Sequence, residues 1–244
     1  MVSESIRNRL IKNWQRTLDD VSQAAARTGR SASAVRIIGV SKYVDAETTI
    51  ALRAVGCEDL GESRPQLLLE KVAAFESPAE DETRPVCWHM IGNLQRNKAK
   101  RVVEVADVIH SIDSVRLLVA VGEYATQSGR TPKVFIEVNI SGESDKHGFG
   151  EKQLMDVWPE VMRVSTVPVV GLMGMAGLEA KGDDARRQFA ALRSLRDKIT
   201  AKHGTCLPEL SMGMSGDFEE AIREGSTMVR IGSRLFEGVL PGRS

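Results

Sequence analysis

Lys42 ends the run Arg36-Ile37-Ile38-Gly39-Val40-Ser41-Lys42, which has the apolar character of a buried β-strand. Alternation puts its amine on the face that carries Ile38 and Val40. A primary amine is the side chain that condenses with carbonyl groups, so its position at a strand end suggests covalent chemistry. On this residue alone, a solvated rim charge remains the ordinary reading.

Two later stretches could hold an anion. Ser211-Met212-Gly213-Met214-Ser215-Gly216-Asp217 leads small residues into a helix whose first N–H groups lack intrahelical partners. Arg230-Ile231-Gly232-Ser233 supplies a glycine that lets backbone approach a ligand and a hydroxyl that can donate to it. Either stretch alone reads equally well as a turn with an N-cap. Asp217 would repel an anion nearby, so its side chain is expected to point away.

Arg230 shares a face with Met228, and the competing face carries Thr227, Val229 and Ile231. Three small or apolar residues favour the second set as the inward one. An inward guanidinium would need an acceptor, either a ring nitrogen of a ligand or a carboxylate such as Glu137. His89, His110 and Asn139 close three further apolar runs. The histidines read as pocket-lining or as hydrogen-bonded rim residues. Asn139 is the favoured wall residue, because an amide can bond a ligand hydroxyl.

The elements that must position these groups repeat in a simple order. Eight short apolar runs, near residues 36–42, 57–61, 86–91, 107–112, 133–140, 167–173, 208–212 and 227–231, alternate with segments of helical character. Asp45 can cap the first intervening helix, Ser63 with Pro65 opens the second, and Ser114 starts the fourth. Phe189, Leu192, Leu195 and Ile199 form the apolar stripe of the long sixth helix, which Gly204 ends. Before all of these, Ile6, Leu10, Trp14, Leu18 and Val21 mark an amphipathic lead helix within residues 1–30. Strict alternation of strand and helix calls for a parallel sheet. Eight units in 244 residues favour an α/β fold of one domain, residues 1–244: a closed (β/α)8 TIM-type barrel with an extra N-terminal helix. A doubly wound open sheet is the alternative. In a barrel, the ends of strands one, seven and eight converge on one face, and loops seven and eight are its recurrent phosphate site.

Composition narrows the partners. Lys plus Arg and Asp plus Glu both number 33, so no global field draws the chain to nucleic acid or to an anionic membrane. The basic group Arg96, Lys98, Lys100 and Arg101 could bind nucleic acid, but on a helix it reads first as a solvated face. Cys57, Cys87 and Cys206 lack zinc-site spacing and read as small buried residues in a reducing compartment. With no apolar run long enough to span a bilayer and no signal-peptide pattern, no metal, nucleic-acid or membrane partner is expected, and the location is cytoplasmic.

Taken in order, these stretches resemble the pyridoxal phosphate homeostasis protein family, relatives of the N-terminal barrel domain of alanine racemase. The matching segments include Gly39-Val40-Ser41-Lys42, Leu60-Gly61-Glu62, Trp88-His89-Met90-Ile91-Gly92, Leu94-Gln95-Arg96-Asn97-Lys98 and His110-Ser111-Ile112-Asp113-Ser114. They continue with Glu137-Val138-Asn139-Ile140-Ser141, Lys146-His147-Gly148, Gly171-Leu172-Met173, Leu210 to Ser215, and Ser226 to Ser233. The resemblance implies that pyridoxal 5'-phosphate is held as a Schiff base on Lys42 and that Ser215, Gly232 and Ser233 grip its phosphate. It also implies that Arg230 faces the pyridine nitrogen, against the alternation count above. Ser211 and Asn139 complete the expected cofactor-binding set. The chain departs from the family pattern at Ser63 and Arg64, where Asn and Tyr are usual, at Asn93, where His is usual, and at Tyr43-Val44-Asp45.

An arginine opposite the ring nitrogen can only donate, which leaves that nitrogen unprotonated and weakens the cofactor as an electron sink. The related racemases add a second β-domain and a tyrosine base. Here the chain ends about a dozen residues after the eighth run, Tyr43 is expected on the face opposite Lys42, and Tyr124 lies in a helix. No catalytic residue is therefore assigned. The expected role is a carrier or buffer in intracellular cofactor homeostasis that influences amino-acid pools. The expected partners are apoenzymes that need the cofactor, and the expected state is a monomer or weak homodimer. The alternatives are a racemase-like enzyme and a Schiff-base aldolase acting on a phosphorylated substrate.

Overall fold

Ile37 and Ile38 are adjacent in the first strand and belong to different cores, and that division organises the molecule. The structure, a computed structural model, describes residues 2–75, 86–143, 146–164 and 166–239. Eight parallel strands close into a barrel in chain order: β1 (Arg36–Val40), β2 (Asp59–Glu62), β3 (Cys87–Met90), β4 (Val108–Ile112), β5 (Lys133–Val138), β6 (Val169–Gly174), β7 (Glu209–Met214) and β8 (Met228–Ile231). Pairing of β1 with β8, in the register Gly39 to Ile231, completes the ring and excludes an open sheet. The strand bounds fall within two residues of the apolar runs that predicted them, and β1, β3 and β5 stop before their runs do, where the chain turns into a loop.

Around the barrel stand α1 (Glu4–Ala26), α2 (Ala46–Ala54), α3 (Pro65–Phe75), α4 (Arg96–Val105), α5 (Val115–Ser128), α6 (Glu151–Arg163), α7 (Asp183–His203) and α8 (Phe218–Arg223). Local signals set their ends as expected. Asp45 Oδ1 accepts from the Thr48 amide at 2.8 Å, Ser114 Oγ accepts from Leu117, and Gly204 stops α7 at φ 65°. The outer core lies between strands and helices and takes Ile37, Leu60, Trp88, Met90, Ile109, Ile136, Leu172, Leu210, Val229 and Ile231 from the sheet. The inner core is small: Ile38, Val108, Phe135, Met173 and Met228.

This arrangement corrects the inward face of β8. Val229 and Ile231 pack outward against helices, while Met228 and Arg230 point into the barrel. The strand face covered by amphipathic helices is the more demanding apolar environment, so counting apolar residues selected the outer face.

The lead helix α1 is not an extra layer. No helix follows β8 among the described residues, and α1 packs against both α8 and α2, filling the eighth position of the wall. Asn13 donates from Nδ2 to the carbonyls of Leu235 (3.0 Å) and Glu237 (2.9 Å) in the turn after β8. Because Asn13 finds partners there and Thr17 donates its hydroxyl to the Asn13 carbonyl within the helix, the buried face is rotated from the expected stripe, and Leu18 is exposed. Of the cysteines, Cys57 is buried as expected, Cys87 is half-buried and Cys206 is exposed. Arg96, Lys98, Lys100 and Arg101 all lie on the solvated side of α4.

Candidate functional site

The strand β1 stops at Val40, and Lys42 lies in the turn that follows. Ser41 makes that turn: its amide donates to the Gly61 carbonyl (2.9 Å) and its own carbonyl accepts from Val44 (3.0 Å). A second lysine supports it from behind. Lys71, buried on α3, donates from Nζ to the Ser41 carbonyl (2.8 Å), to Ser41 Oγ (3.0 Å) and to Glu62 Oε2 (2.6 Å). The other carboxylate oxygen of Glu62 accepts from the amides of Ser63 (2.7 Å) and Arg64 (3.2 Å). Lys71 thus spends two of its three ammonium hydrogens on the residue before Lys42 and the third on Glu62.

The turn overrides the alternation expected through Lys42. Lys42 is half-buried, and its Nζ stands 4.9 Å from the centroid of the exposed Tyr43 ring instead of on the opposite side of a strand. The amine lines a cleft of about 510 Å³ with Tyr43, Val44, Ser63 and Arg64. Arg64, one of the departures from the family pattern, donates from Nη2 to the Lys42 carbonyl at 2.9 Å. It therefore adds a cationic hold on the lysine backbone at the position where the family pattern has tyrosine.

Loops seven and eight are tied to each other. The Gly232 amide donates to Ser215 Oγ at 3.1 Å, joining the two small-residue turns. Continuing the β1–β8 register sets Gly232 beside Val40, where an added Cβ would lie 3.3 Å from the Val40 carbonyl. Glycine permits that approach, and it brings Ser215, Gly232 and the exposed Ser233 to the strand end from which Lys42 departs. Gly213, at φ 93°, makes the bend of β7, where a side chain would meet Ala221 Cβ at 2.5 Å. Asp217 turns back on its own loop: its Oδ1 accepts the Met214 amide at 2.5 Å, and burial raises its pKa above the usual carboxylate range. The helix behind it, α8, has only six residues and carries Glu219 and Glu220 in its first turn. Acidic groups already answer its dipole, so an anion here relies on the two turns and not on the helix axis.

Arg230 is 4% exposed and is gripped from two strands. Nη1 donates to the Ser211 carbonyl (2.8 Å) and Ser211 Oγ (2.7 Å), and Nη2 to the Gly174 carbonyl (3.1 Å). Neutral oxygens hold it, in place of the ion pair with Glu137 considered from the sequence. Burial lowers its pKa to about 10, with Asp217 and Glu137 acting in the opposite direction, so it stays a cation at neutral pH. Glu137, inward-facing on β5, is pushed up to about 7 by burial and by Asp113, against the pull of Arg230 and His147. A carboxyl poised between its two forms therefore faces the same end of the barrel.

His89 and His110, which the sequence offers as pocket-lining or hydrogen-bonded rim residues, lie buried in the barrel interior. His89 Nε2 lies 2.8 Å from Asp59 Oδ1, His89 Nδ1 lies 2.9 Å from His110 Nε2, and His110 Nδ1 lies 2.8 Å from Ser211 Oγ. Both histidines are fully buried, and His110 stacks on Phe135 with ring centroids 4.6 Å apart. Burial, His89 and nearby arginines hold the His110 pKa well below the usual histidine value. The available signal was the flanking pattern: Trp88 and Met90 face outward, which leaves His89 inward. The same alternation brings Cys87 within 4.8 Å of the Asp59 and His89 ligand atoms, a grouping that sequence spacing did not reveal.

Asn139 secures its own loop. Nδ2 donates to the Glu143 carbonyl (2.8 Å), and Oδ1 accepts from Ser141 Oγ (3.1 Å) and the Gly142 amide (3.0 Å). From the same loop, His147 Nε2 meets Asn93 Nδ2 at 2.6 Å, linking the loops after β3 and β5.

The sequence profile described as "Alanine racemase, N-terminal domain" matches residues 18–239. The pyridoxal phosphate homeostasis protein of Aquifex aeolicus is 36% identical over 221 residues, covering 91% of this chain and 94% of the relative. The chain belongs to the pyridoxal phosphate homeostasis protein family. Among solved structures, an unknown protein from Bifidobacterium adolescentis matches with a TM-score of 0.85 at 32% identity, over 97% of this chain and 98% of that one. PipY of Synechococcus elongatus, a structure with PLP bound, matches with a TM-score of 0.76 at 32% identity, over 83% of this chain and 92% of PipY. Within this homeostasis family, the closed parallel barrel is therefore the shared frame.

Proposed function

We propose that this chain binds pyridoxal 5'-phosphate as one unit and acts in its intracellular homeostasis, as a carrier or buffer that influences amino-acid pools. The Gly232–Ser215 bond of 3.1 Å carries the reading, because it makes loops seven and eight a single small-residue turn system beside the end of β1. The names of the homeostasis relatives and the PLP bound in PipY support it. In this reading, Lys42 holds the cofactor as a Schiff base, Ser215, Gly232 and Ser233 hold the phosphate, and Arg230, steadied by Ser211, faces the ring nitrogen. Asn139 fixes the wall formed by the loop after β5. To reach the cradle, the Lys42 stem rotates off the Tyr43 ring, giving up an exposed cation–π contact of about 0.5–1 kcal/mol.

When bound, the cofactor supplies an aldehyde and an electron-withdrawing ring. The residues of this chain favour retention over turnover. Arg230 is a permanent donor with no proton to give at neutral pH, so the ring nitrogen opposite it stays unprotonated. Tyr43 is exposed on the rim beside Lys42, and Tyr124 lies on α5 outside the barrel. Among the described residues, no helix is long and apolar enough to cross a membrane. The cytoplasm, a monomeric or weakly dimeric state, and delivery to apoenzymes complete the proposal.

The visible spectrum of the purified protein, before and after borohydride treatment, tests it. Peptide mapping should place the reduced adduct on Lys42, and Lys42→Ala should abolish the band. An adduct on Lys71 or any other lysine would overturn the assignment.

A further inference from the structure

Asp59, His89, His110, Ser211 and Arg230 form one unbroken file of hydrogen bonds across the barrel interior, with links of 2.8, 2.9, 2.8 and 2.7 Å. It starts at the first residue of β2 and ends at the arginine assigned above to the cofactor ring. We propose that this file is a directional relay in which Asp59, His89 and His110 are positioning residues that fix the hydrogen-bonding pattern of Ser211 and, through it, of Arg230. The proposal deepens the cofactor-binding reading and rests on it for the role of Arg230.

The two ends set the direction. Arginine can only donate and an ionised carboxylate can only accept. Nη1 of Arg230 gives a hydrogen to Ser211 Oγ, so the hydroxyl hydrogen of Ser211 is free to go to His110 Nδ1. His110 then carries its hydrogen on Nε2 and donates to His89 Nδ1, and His89 carries its hydrogen on Nε2 and donates to Asp59. Every hydrogen points from the arginine toward the carboxylate, and each of the four links has one donor and one acceptor.

The competing pattern charges His89 and sends hydrogens both ways from it. Ser211 Oγ would then receive two donors, from His110 and Arg230, and its own hydrogen would need a third partner. It would also set a third cation between Arg230 and Arg36, whose Nη1 lies 3.8 Å from Asp59 Oδ1. The low pKa of His110 agrees with the one-way pattern.

Other charged groups border the relay at its ends. Arg36 and Cys87 face Asp59, and Asp107 lies near Cys87, whose pKa burial raises to about 12. Glu137 and Asp217 face Arg230. None of these groups interrupts the file. Cys87 with Asp59 and His89 has the separation of a metal trio, but the 2.8 Å His89–Asp59 bond already pairs two of its three ligand atoms.

The relay makes a claim about tautomers that needs no cofactor. Two-bond ¹H–¹⁵N correlation spectra of the apoprotein, labelled in histidine, should show His89 and His110 both as the neutral Nε2–H form near pH 7. An Nδ1–H form of either ring, or a doubly protonated His89, would overturn the relay. A second arm uses the cofactor-loaded protein. Ser211→Ala, His110→Phe and Asp59→Leu should each move the pH midpoint of the visible band by at least about half a unit, because Arg230 loses its fixed partner. Asp59→Glu, which keeps the terminal acceptor, should restore the wild-type midpoint. Unmoved midpoints in folded variants would overturn the positioning role. Absence of any visible band in the wild-type protein would overturn the cofactor reading instead, and the apoprotein tautomers would still decide the relay.

Discussion

Lys71 Nζ lies 2.6 Å from Glu62 Oε2 with both side chains almost wholly buried, and this pair carries the Ser41 turn from which Lys42 projects. Removing one partner leaves an uncompensated charge in a dry site, a change that typically costs about 3–5 kcal/mol. Lys71→Met should therefore lower the unfolding free energy of the apoprotein, measured in urea, by that order and loosen cofactor retention together. Stability unchanged to within about 0.5 kcal/mol would show that the pair does not support the turn.

Glu137 should impose a pH dependence of a definite sign. Its pKa rises from 4.5 in the unfolded chain to about 7 in the barrel, so the folded state binds the extra proton between those values. Its contribution is full below pH 4.5 and is lost as pH rises through about 7, a change of roughly 3 kcal/mol as an upper figure. His110 acts oppositely: its lowered pKa gives stability that is present above pH 6.5 and lost on acidification. Denaturation of the apoprotein from pH 5 to 8 should show Glu137→Gln gaining on the wild type as pH rises. Parallel curves would place the titration elsewhere.

Gly213 holds φ 93° against the flank of α8, and an added methyl group would overlap Ala221. Gly213→Ala should destabilise the barrel by roughly 1–3 kcal/mol through backbone strain and crowding combined. Thermal melting measures this directly. A neutral result would mean that the bend of β7 does not need glycine.

Ser215 and Gly232 couple the two turns assigned to the phosphate, so Ser215→Ala should act more on ligand than on fold. The lost hydrogen bond is worth about 1 kcal/mol of stability. Cofactor affinity, followed by equilibrium dialysis, should fall by more than the tenfold that about 1.4 kcal/mol represents, since the phosphate would lose a hydroxyl contact as well. Equal affinity would remove Ser215 from the cradle.

Features that depend on near neighbours were legible in the sequence. Asp45 and Ser114 cap helices within three residues of their own position, and the eight apolar runs mark eight strands in order. The resemblance turned Arg230 inward when residue counting turned it outward, because counting assumed that the inner face is the more apolar one. The Lys42 turn was hidden for another reason: its support comes from Lys71, thirty residues away in sequence from Ser41. The histidine file spans 21 residues from His89 to His110, on paired strands, and 101 from His110 to Ser211, on strands that only the closed barrel brings together. Asn139 was chosen for a spare amide, and the structure shows that amide bracing its own loop.

Filling the eighth wall position with α1 joins this helix to the turn after β8. During synthesis, α1 emerges before the strand it must cover, and its Asn13 waits for carbonyls of residues 235 and 237. The ring can seal only when β8 arrives, so segments 222 residues apart in sequence meet in one late event. Removing α1 should consequently bare the apolar flanks of α2 and α8 and make the barrel prone to clump.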